Sequence, residues 1–157
     1  MAKKKEINLA IENRKAKYNF LIEDTIEAGI VLTGDEIKSI RNGKISIDNS
    51  YATEKDNAIW LLNSNIQVPK GRLGTIDSNP TRPRKLLLKK KEINKIRTKL
   101  LSSGFTLIPL NIHYNSKGFA KIQIGISKGR KKEDKREYKK EQDWKREKGR
   151  LIAKQFK

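Results

Sequence analysis

Phe105-Thr106-Leu107-Ile108-Pro109-Leu110-Asn111-Ile112-His113-Tyr114 runs through Asn115-Ser116-Lys117-Gly118 into Phe119-Ala120-Lys121-Ile122-Gln123-Ile124-Gly125-Ile126-Ser127. Leu110, Ile112 and Tyr114 recur every second residue, as do Ala120, Ile122, Ile124 and Ile126. A period of two puts these side chains on one face of an extended chain, which predicts two half-buried strands. The polar tetrapeptide between them predicts a hairpin turn. The phase slips near Ile108-Pro109, which predicts a bulge or an edge position.

Working outward from this hairpin, Lys89 to Ser103 is the clearest helix. Ile93, Ile96, Leu100 and Leu101 fall on one apolar stripe, and Gly104 follows as the stop. Upstream, Pro69 to Pro83 carries glycine and proline breakers and reads as a loop. Ile45–Thr53 and Ala58–Gln67 read as strands around a polar turn, Glu54–Asn57. Thr33-Gly34-Asp35-Glu36 has the spacing of a capping box, so a short helix is expected over Asp35–Asn42, ended by Gly43. Tyr18, Phe20 and Ile22 alternate in a first strand. Asp24-Thr25 punctuates, and Ala28 to Leu32 forms a second. About six strands with short helices predict a closed or partly closed antiparallel barrel, since closure removes exposed sheet edges. The expected organisation is a flexible arm over residues 1–12, a barrel over 13–127 and a basic tail over 128–157.

The 157 residues carry a net charge of +19. Such an excess repels itself in a compact fold and favours a polyanionic partner, with nucleic acid first. There is no cysteine, so neither disulfides nor thiolate chemistry enter. The basic start leads into no apolar run, and no stretch approaches the roughly 18 apolar residues of a membrane span. A soluble, cytoplasmic protein is expected. The single histidine, His113, lies opposite in phase to Ile112 and Tyr114 and reads as a solvent-facing strand residue. With no second His and no Cys, zinc sites of ordinary composition are excluded. No P-loop spacing occurs. The chain is expected to be no enzyme and to need no metal or cofactor.

Three stretches concentrate cations. Arg14, Lys15 and Lys17 sit beside Tyr18, an arrangement suited to unstacked RNA bases and their phosphates. From Arg82 to Lys99 there are nine cations, including Arg84 and Lys85, against one acid, Glu92. That one-sidedness points to phosphate contact. From Lys128 to Lys157 there are fourteen cations and six acids. Opposite-charge pairs such as Glu141–Lys145 and Glu147–Arg150 support a helix there. Trp144, Leu151, Ile152 and Phe156 share one broad side. An isolated helix of this length is marginal in water and has too little apolar surface to hold it on a body. The expectation is a tail disordered when free and helical inside a polyanionic channel.

Several blocks together resemble the SmpB family of SsrA-binding proteins. They are Asn13-Arg14-Lys15-Ala16; Glu27-Ala28-Gly29-Ile30-Val31-Leu32; Gly34-Asp35-Glu36-Ile37-Lys38-Ser39-Ile40-Arg41 with Gly43-Lys44; and Asp48-Asn49-Ser50-Tyr51 with Asn65-Ile66. Asn79-Pro80-Thr81-Arg82 with Arg84-Lys85-Leu86-Leu87-Leu88 follows, then Lys128-Gly129-Arg130-Lys131 with Asp134-Lys135-Arg136. The resemblance implies an OB-like barrel with two or three flanking helices. It further implies a factor of trans-translation that binds the tRNA-like part of transfer-messenger RNA (tmRNA, SsrA RNA). Such a factor takes that RNA to ribosomes stalled without a stop codon. Asn13, Glu27 and Leu87 match positions tied to RNA binding in the family; Asp134, Lys135 and Arg136 match a tail motif needed after it. The channel for the tail would be the decoding centre and empty messenger path of the small subunit.

On these grounds the RNA-contacting set is expected to be Asn13, Arg14, Lys15, Lys17, Tyr18, Glu27, Lys38, Arg41, Arg82, Arg84, Lys85 and Leu87. The ribosomal set is Lys128, Arg130, Lys131, Asp134, Lys135, Arg136, Trp144, Leu151 and Ile152. Glu27 cannot bind phosphate; it can accept from a base edge, steady a cation or cap local backbone. Leu87 can pack on a base or in the core. Pro83 departs from the family's usual Thr. A monomer away from membranes is expected. Two rival readings remain: a generic RNA-binding barrel of the translation apparatus, and a peripheral membrane protein using the tail as a basic amphipathic helix.

Overall fold

A computed structural model describes residues 8–68, 79–102 and 104–155. In chain order the elements are β1 (Asn8–Glu12), α1 (Ala16–Asn19), β2 (Phe20–Ile30), α2 (Gly34–Arg41), β3 (Ile45–Ser46), β4 (Tyr51–Lys55) and β5 (Ala58–Leu62). They continue as β6 (Asn65–Ile66), β7 (Arg84–Leu87), α3 (Lys90–Leu101), β8 (Phe105–Tyr114), β9 (Ala120–Gly129) and α4 (Lys132–Gln155).

The strands β8-β4-β5-β7-β2-β9 pair in that order, and β9 returns to pair with β8. Every ladder is antiparallel. The result is a closed six-stranded barrel of the expected class. Closure is possible because β8 serves three neighbours. One edge meets β9 from Phe105 to Tyr114; the other meets β4 at Leu107 and β1 from Asn111 to Tyr114. The ladder slips between Pro109 and Asn111. This is the bulge expected from the phase shift, in an interior strand rather than at an edge. The hairpin turns as expected, with Gly118 at φ 82 and Asn115 Oδ1 accepting from the backbone N–H groups of Lys117 and Phe119.

The barrel interior is aliphatic. Ile26, Ala28 and Ile30 of β2 face Ile122, Ile124 and Ile126 of β9, with Leu107, Ile112, Ile59, Leu61 and Leu86 completing the layers. Ile40 of α2 and Ile96 of α3 join this core from outside. Leu101, expected on the same stripe of α3, is instead exposed. The α2 capping box forms as the sequence predicts: Thr33 Oγ1 accepts from the Glu36 N–H, and Glu36 Oε1 accepts from the Thr33 N–H at 2.9 Å.

Several boundaries differ from expectation, each for a local reason. Residues 8–12, assigned to a flexible arm, form β1 because β8 offers an unpaired edge beyond the reach of β4; residues 1–7 lie outside the described set. Tyr18 sits in the short turn α1 rather than in a strand. The two strands expected on either side of Asp24-Thr25 are one, β2, with a bulge between Ile22 and Asp24 absorbing the polar pair. Ile45–Thr53 and Ala58–Gln67 each divide in two. Asp48-Asn49 interrupts the first, and Asn63, at φ 62, interrupts the second. β3 and β6 then pair with each other as a separate small sheet. Asp56 and Asn57, both at positive φ, make the two-residue turn between β4 and β5. β7 was masked by its own charge: Arg84 and Leu86 point in, Lys85 and Leu87 out. The loop expected over 69–83 lies outside the described residues up to position 78.

Candidate nucleic-acid interface

Glu36 carries more than a cap. It is 1% exposed, and its carboxylate also pairs with Arg82 through Oε1 and with Arg84 through Oε2, the latter at 2.5 Å. Arg84 is fully buried and spends its remaining donors on Ser64 Oγ (2.8 Å), Ser64 O, Arg82 O and Pro80 O. Burial alone would raise the Glu36 carboxyl. The hydrogen bonds from Arg82, the Thr33 N–H and Arg84, with the Arg84 charge, outweigh it and hold the group below its ordinary value. The Asn79–Arg84 segment is thereby locked onto α2. Arg84 therefore cannot reach a phosphate, contrary to expectation, and Arg82 is largely committed to the same carboxylate. Their role is to set the shape of this segment.

Asn13 is likewise structural. At 5% exposure its Nδ2 donates to Pro109 O (3.0 Å) and Ile47 O (3.4 Å), tying the start of the body to the β8 bulge. Beside it, Arg14, Lys15 and Lys17 are exposed. So are Lys38 and Arg41 on α2 and Lys85 on β7. These six of the expected cations remain open to a polyanion. Most of the α3 cations do not. Lys95 pairs with Asp24 (2.6 Å), Lys99 with Glu23 (3.3 Å) and Arg97 with Glu54 (3.1 Å). The β2 bulge turns both Glu23 and Asp24 toward α3, so a helix that reads as phosphate-seeking is neutralised by its own barrel. Lys95 donating to Asp24 and the Thr25 N–H lower the Asp24 carboxyl. These pairs are exposed and worth at most about 1 kcal/mol each.

The outer face of β7, β2, β9 and β8 is the most structured open surface. Pairing aligns Leu87, Gly29, Lys121 and His113 in one row across the four strands. The next row holds Glu27, Gln123 and Asn111. Leu87 is 55% exposed, which removes core packing as its role, and Glu27 is 57% exposed at its side chain. Leu87 lies directly over Gly29, two residues from Glu27 on β2: a Cβ at Gly29 would stand 3.1 Å from Leu87 Cβ. Phe119, 63% exposed, faces Leu87 across a groove lined by Ile30, Leu32, Ile37, Tyr114 and the cations Arg41 and Lys121. An apolar groove with a cationic rim can take a nucleobase on its floor and phosphates at its edges. Burial raises the Tyr114 hydroxyl despite the Arg41 charge beside it.

His113 departs from expectation. Its side chain is 12% exposed, with Nε2 3.5 Å from Glu27 Oε1 and Nδ1 2.9 Å from Asn111 Oδ1. Sequence reading also passed over Lys121 and Phe119. Lys121 is legible from phase, being opposite to Ile122; Phe119 reads as a strand start.

The tail root is organised around Arg130. Its N–H donates to Asn19 O, its Nε donates to Lys17 O (2.9 Å), and its guanidinium lies 4.6 Å from the Tyr138 ring. Tyr18 meets Tyr138 with centroids 6.5 Å apart, and Lys135 Nζ is 5.8 Å from the Tyr18 ring. So Tyr18 contacts the tail. Lys128 caps the Phe105 ring at 4.5 Å. Lys131, Asp134 and Arg136 are exposed. Beyond Tyr138 the helix α4 runs outward: Trp144 is 65%, Leu151 59% and Ile152 47% exposed. Glu141 and Lys145 are 3.8 Å apart, the expected i,i+4 pair; Phe156 lies outside the described residues. Among the described residues, no three His, Cys, Asp or Glu side chains converge to hold a metal.

Comparison with known proteins fits this geometry. The family model described as SmpB protein matches residues 10–154. An SsrA-binding protein of Bradyrhizobium sp. (strain BTAi1) is 53% identical over 154 residues, covering 97% of this chain and 98% of the relative. One from Nitrobacter winogradskyi is 53% identical over 146 residues, covering 93% and 92%. A solved structure described as "tmRNA-SmpB: a journey to the center of the bacterial ribosome" contains a chain 39% identical to this one. It superposes with a TM-score of 0.63 over 81% of this chain and 92% of that chain.

Proposed function

The chain belongs to the SmpB family, and from that premise we propose that it is a non-enzymatic RNA-binding factor of trans-translation. It binds the tRNA-like domain of tmRNA and delivers it to stalled ribosomes. There its tail enters the decoding centre and the empty messenger path, so that the nascent chain can be tagged and released. The work divides between body and tail.

The observation that carries the reading is the outer face of the barrel. An exposed carboxylate, Glu27, and an exposed leucine, Leu87, stand on neighbouring strands around Gly29, and Leu87 lines the groove that also holds the cations Arg41 and Lys121. Carboxylate and leucine cannot contribute to non-specific phosphate attraction. They can discriminate, the first by accepting from a base-edge donor and the second by packing on a base plane. Arg14, Lys15, Lys17, Lys38 and Lys85 supply the salt-sensitive attraction. Asn13, Arg82 and Arg84 hold the surface in shape from beneath it.

Beyond its Tyr138 anchor α4 is too exposed to be held by packing, so in solution the free helix melts readily and becomes fixed against ribosomal RNA. Lys131, Lys135 and Arg136 then follow phosphates, while Trp144, Leu151 and Ile152 meet bases or apolar wall. Secondary chemical shifts of the free protein test this; a persistent helix from 140 to 155 would refute the melting. The protein acts in the cytoplasm as a monomer. No helix among the described residues is long and apolar enough to cross a membrane.

A competition shift assay pitting the tRNA-like fragment against bulk tRNA tests the whole reading. Glu27→Ala should weaken binding without lowering the melting temperature. Asn13→Ala should weaken binding and lower the melting temperature as well. Removal of residues 128–157 should leave RNA selectivity intact and abolish ribosome rescue. A truncated body that binds both RNAs equally would refute the proposal.

A further inference from the structure

We infer that His113 is a positioning residue for Glu27, the end of a polar relay that aims the Glu27 carboxylate out of the barrel as an acceptor for a base-edge N–H; this rests on the reading of Glu27 given above. The four residues lie on three adjacent strands. Gln123 of β9 and Asn111 of β8 are cross-strand partners, joined by an amide–amide hydrogen bond of 2.8 Å. Asn111 Oδ1 meets His113 Nδ1 at 2.9 Å, and His113 Nε2 meets Glu27 Oε1 at 3.5 Å.

The exposure gradient shows the direction of the relay. His113 is 12% exposed and Glu27 57%. An exposed glutamate on a strand ordinarily samples several rotamers, and fixing one costs side-chain entropy. A nearly buried imidazole with a fixed ring plane bears part of that cost before any ligand arrives, which is how preorganisation raises affinity. A carboxylate oxygen 3.5 Å away favours hydrogen on Nε2, because a bare nitrogen lone pair would face a negative oxygen. Nδ1 is satisfied either way. The Asn111 and Gln123 amides can exchange their oxygen and nitrogen ends together, so Asn111 presents an acceptor or a donor as the ring requires. With one oxygen of Glu27 drawn toward His113, the other is left to face outward.

The chemistry specifies the ligand class. An ionised carboxylate oxygen takes a ring N–H or an exocyclic amine of an unpaired base. It repels a phosphate, which the neighbouring Lys121 and Arg41 attract. The relay therefore acts on discrimination rather than on the shared electrostatic attraction.

A double-mutant cycle on the full-length chain with the tRNA-like RNA fragment separates this role from packing. His113→Phe keeps the ring volume and loses the donor; His113→Gln keeps a donor near the Nε2 position. His113→Phe should weaken binding about tenfold, His113→Gln no more than about threefold, and both should leave affinity for bulk tRNA unchanged. In a Glu27→Gln background, His113→Phe should cost nothing further. Melting temperatures of all variants, measured in parallel, identify loss through misfolding. If Glu27→Gln weakens binding while His113→Phe is neutral, or if the two losses simply add, His113 does not position Glu27 and the present inference fails alone. If Glu27→Gln itself leaves binding and selectivity untouched, the assignment of Glu27 to the RNA surface fails, and this inference with it.

Discussion

Glu36 concentrates the chemistry of the single residue. One carboxylate caps α2, pairs with two arginines and is sealed from water. A buried pair adds little over an apolar substitute, but removing one partner strands the other's charge, typically at about 3–5 kcal/mol. Glu36→Ala, which leaves the buried Arg84 charge without its carboxylate, should therefore lower stability by about that amount, read by denaturant melts, whereas exposed Lys85→Ala should change it by less than about 0.5 kcal/mol. The folded state holds the Glu36 carboxyl below its ordinary value of 4.5. Its contribution is present in full above that value and is lost as pH falls through the lower, folded one. Glu36→Gln should be less stable than the parent at neutral pH, with the gap closing below about pH 4.5 in acid titrations followed by circular dichroism. A wild-type to Glu36→Gln difference that stays constant from pH 7 to pH 2 would contradict the linkage.

At the scale of elements, α4 is unlike the others. α2 and α3 each place an isoleucine in the barrel core, Ile40 and Ile96, while α4 touches the body only through its first turns. Its stability is then largely intrinsic, which makes Gly149 a sensitive position. Nothing lies within 4 Å of a Cβ added there, so Gly149→Ala should gain about 0.5–1 kcal/mol of helix propensity without steric cost. The free protein should show more negative ellipticity at 222 nm while tmRNA affinity stays constant. The same contrast shows which elements were legible from sequence. β8, β9, α2 and α3 carry a period or a cap strong enough to read, and their ends fall within two residues of the expected ones. β7 was missed because Lys85 and Leu87, its outward pair, made Arg82–Lys91 read as a charge run with a leucine patch. β2 was cut in two because a bulge and a turn use the same polar residues. Only the pairing partner distinguishes them, and sequence does not display it.

For the whole molecule, the count of 37 lysines and arginines overstates what meets RNA. Lys95, Arg97, Lys99, Arg82 and Arg84 are spent internally, and the tail carries much of the remainder. Counterion release makes this measurable, since each phosphate contact contributes about 0.7–0.9 to the slope of log affinity against log salt. Replacing Arg14, Lys15 and Lys17 together with alanine should reduce the slope for the tRNA-like fragment by about 2. Deleting residues 128–157 should leave it unchanged; an equal drop in both variants would place the tail on the same RNA. The candidate surface was only half visible in the sequence for the same reason. Charge counts there are honest, but accessibility depends on which acids the fold brings opposite. Arg84 and Arg82 lost their expected role to Glu36, forty-odd positions away, while His113 gained one through Glu27.

The ladder between β2 and β9 has a mechanical side. β9 leads directly into the tail, and it is hydrogen-bonded along its length to β2 on one edge and β8 on the other. Tension applied to the C-terminus therefore loads both ladders in shear, so their bonds resist together instead of peeling one at a time. A translocating ribosome could drag on the extension without unravelling the domain anchored behind it. Pulling in optical tweezers between the C-terminus and Val31, just past the far end of the β2–β9 ladder, should accordingly demand a higher rupture force than pulling between the C-terminus and Gly104, which opens the β8–β9 pair from its free end.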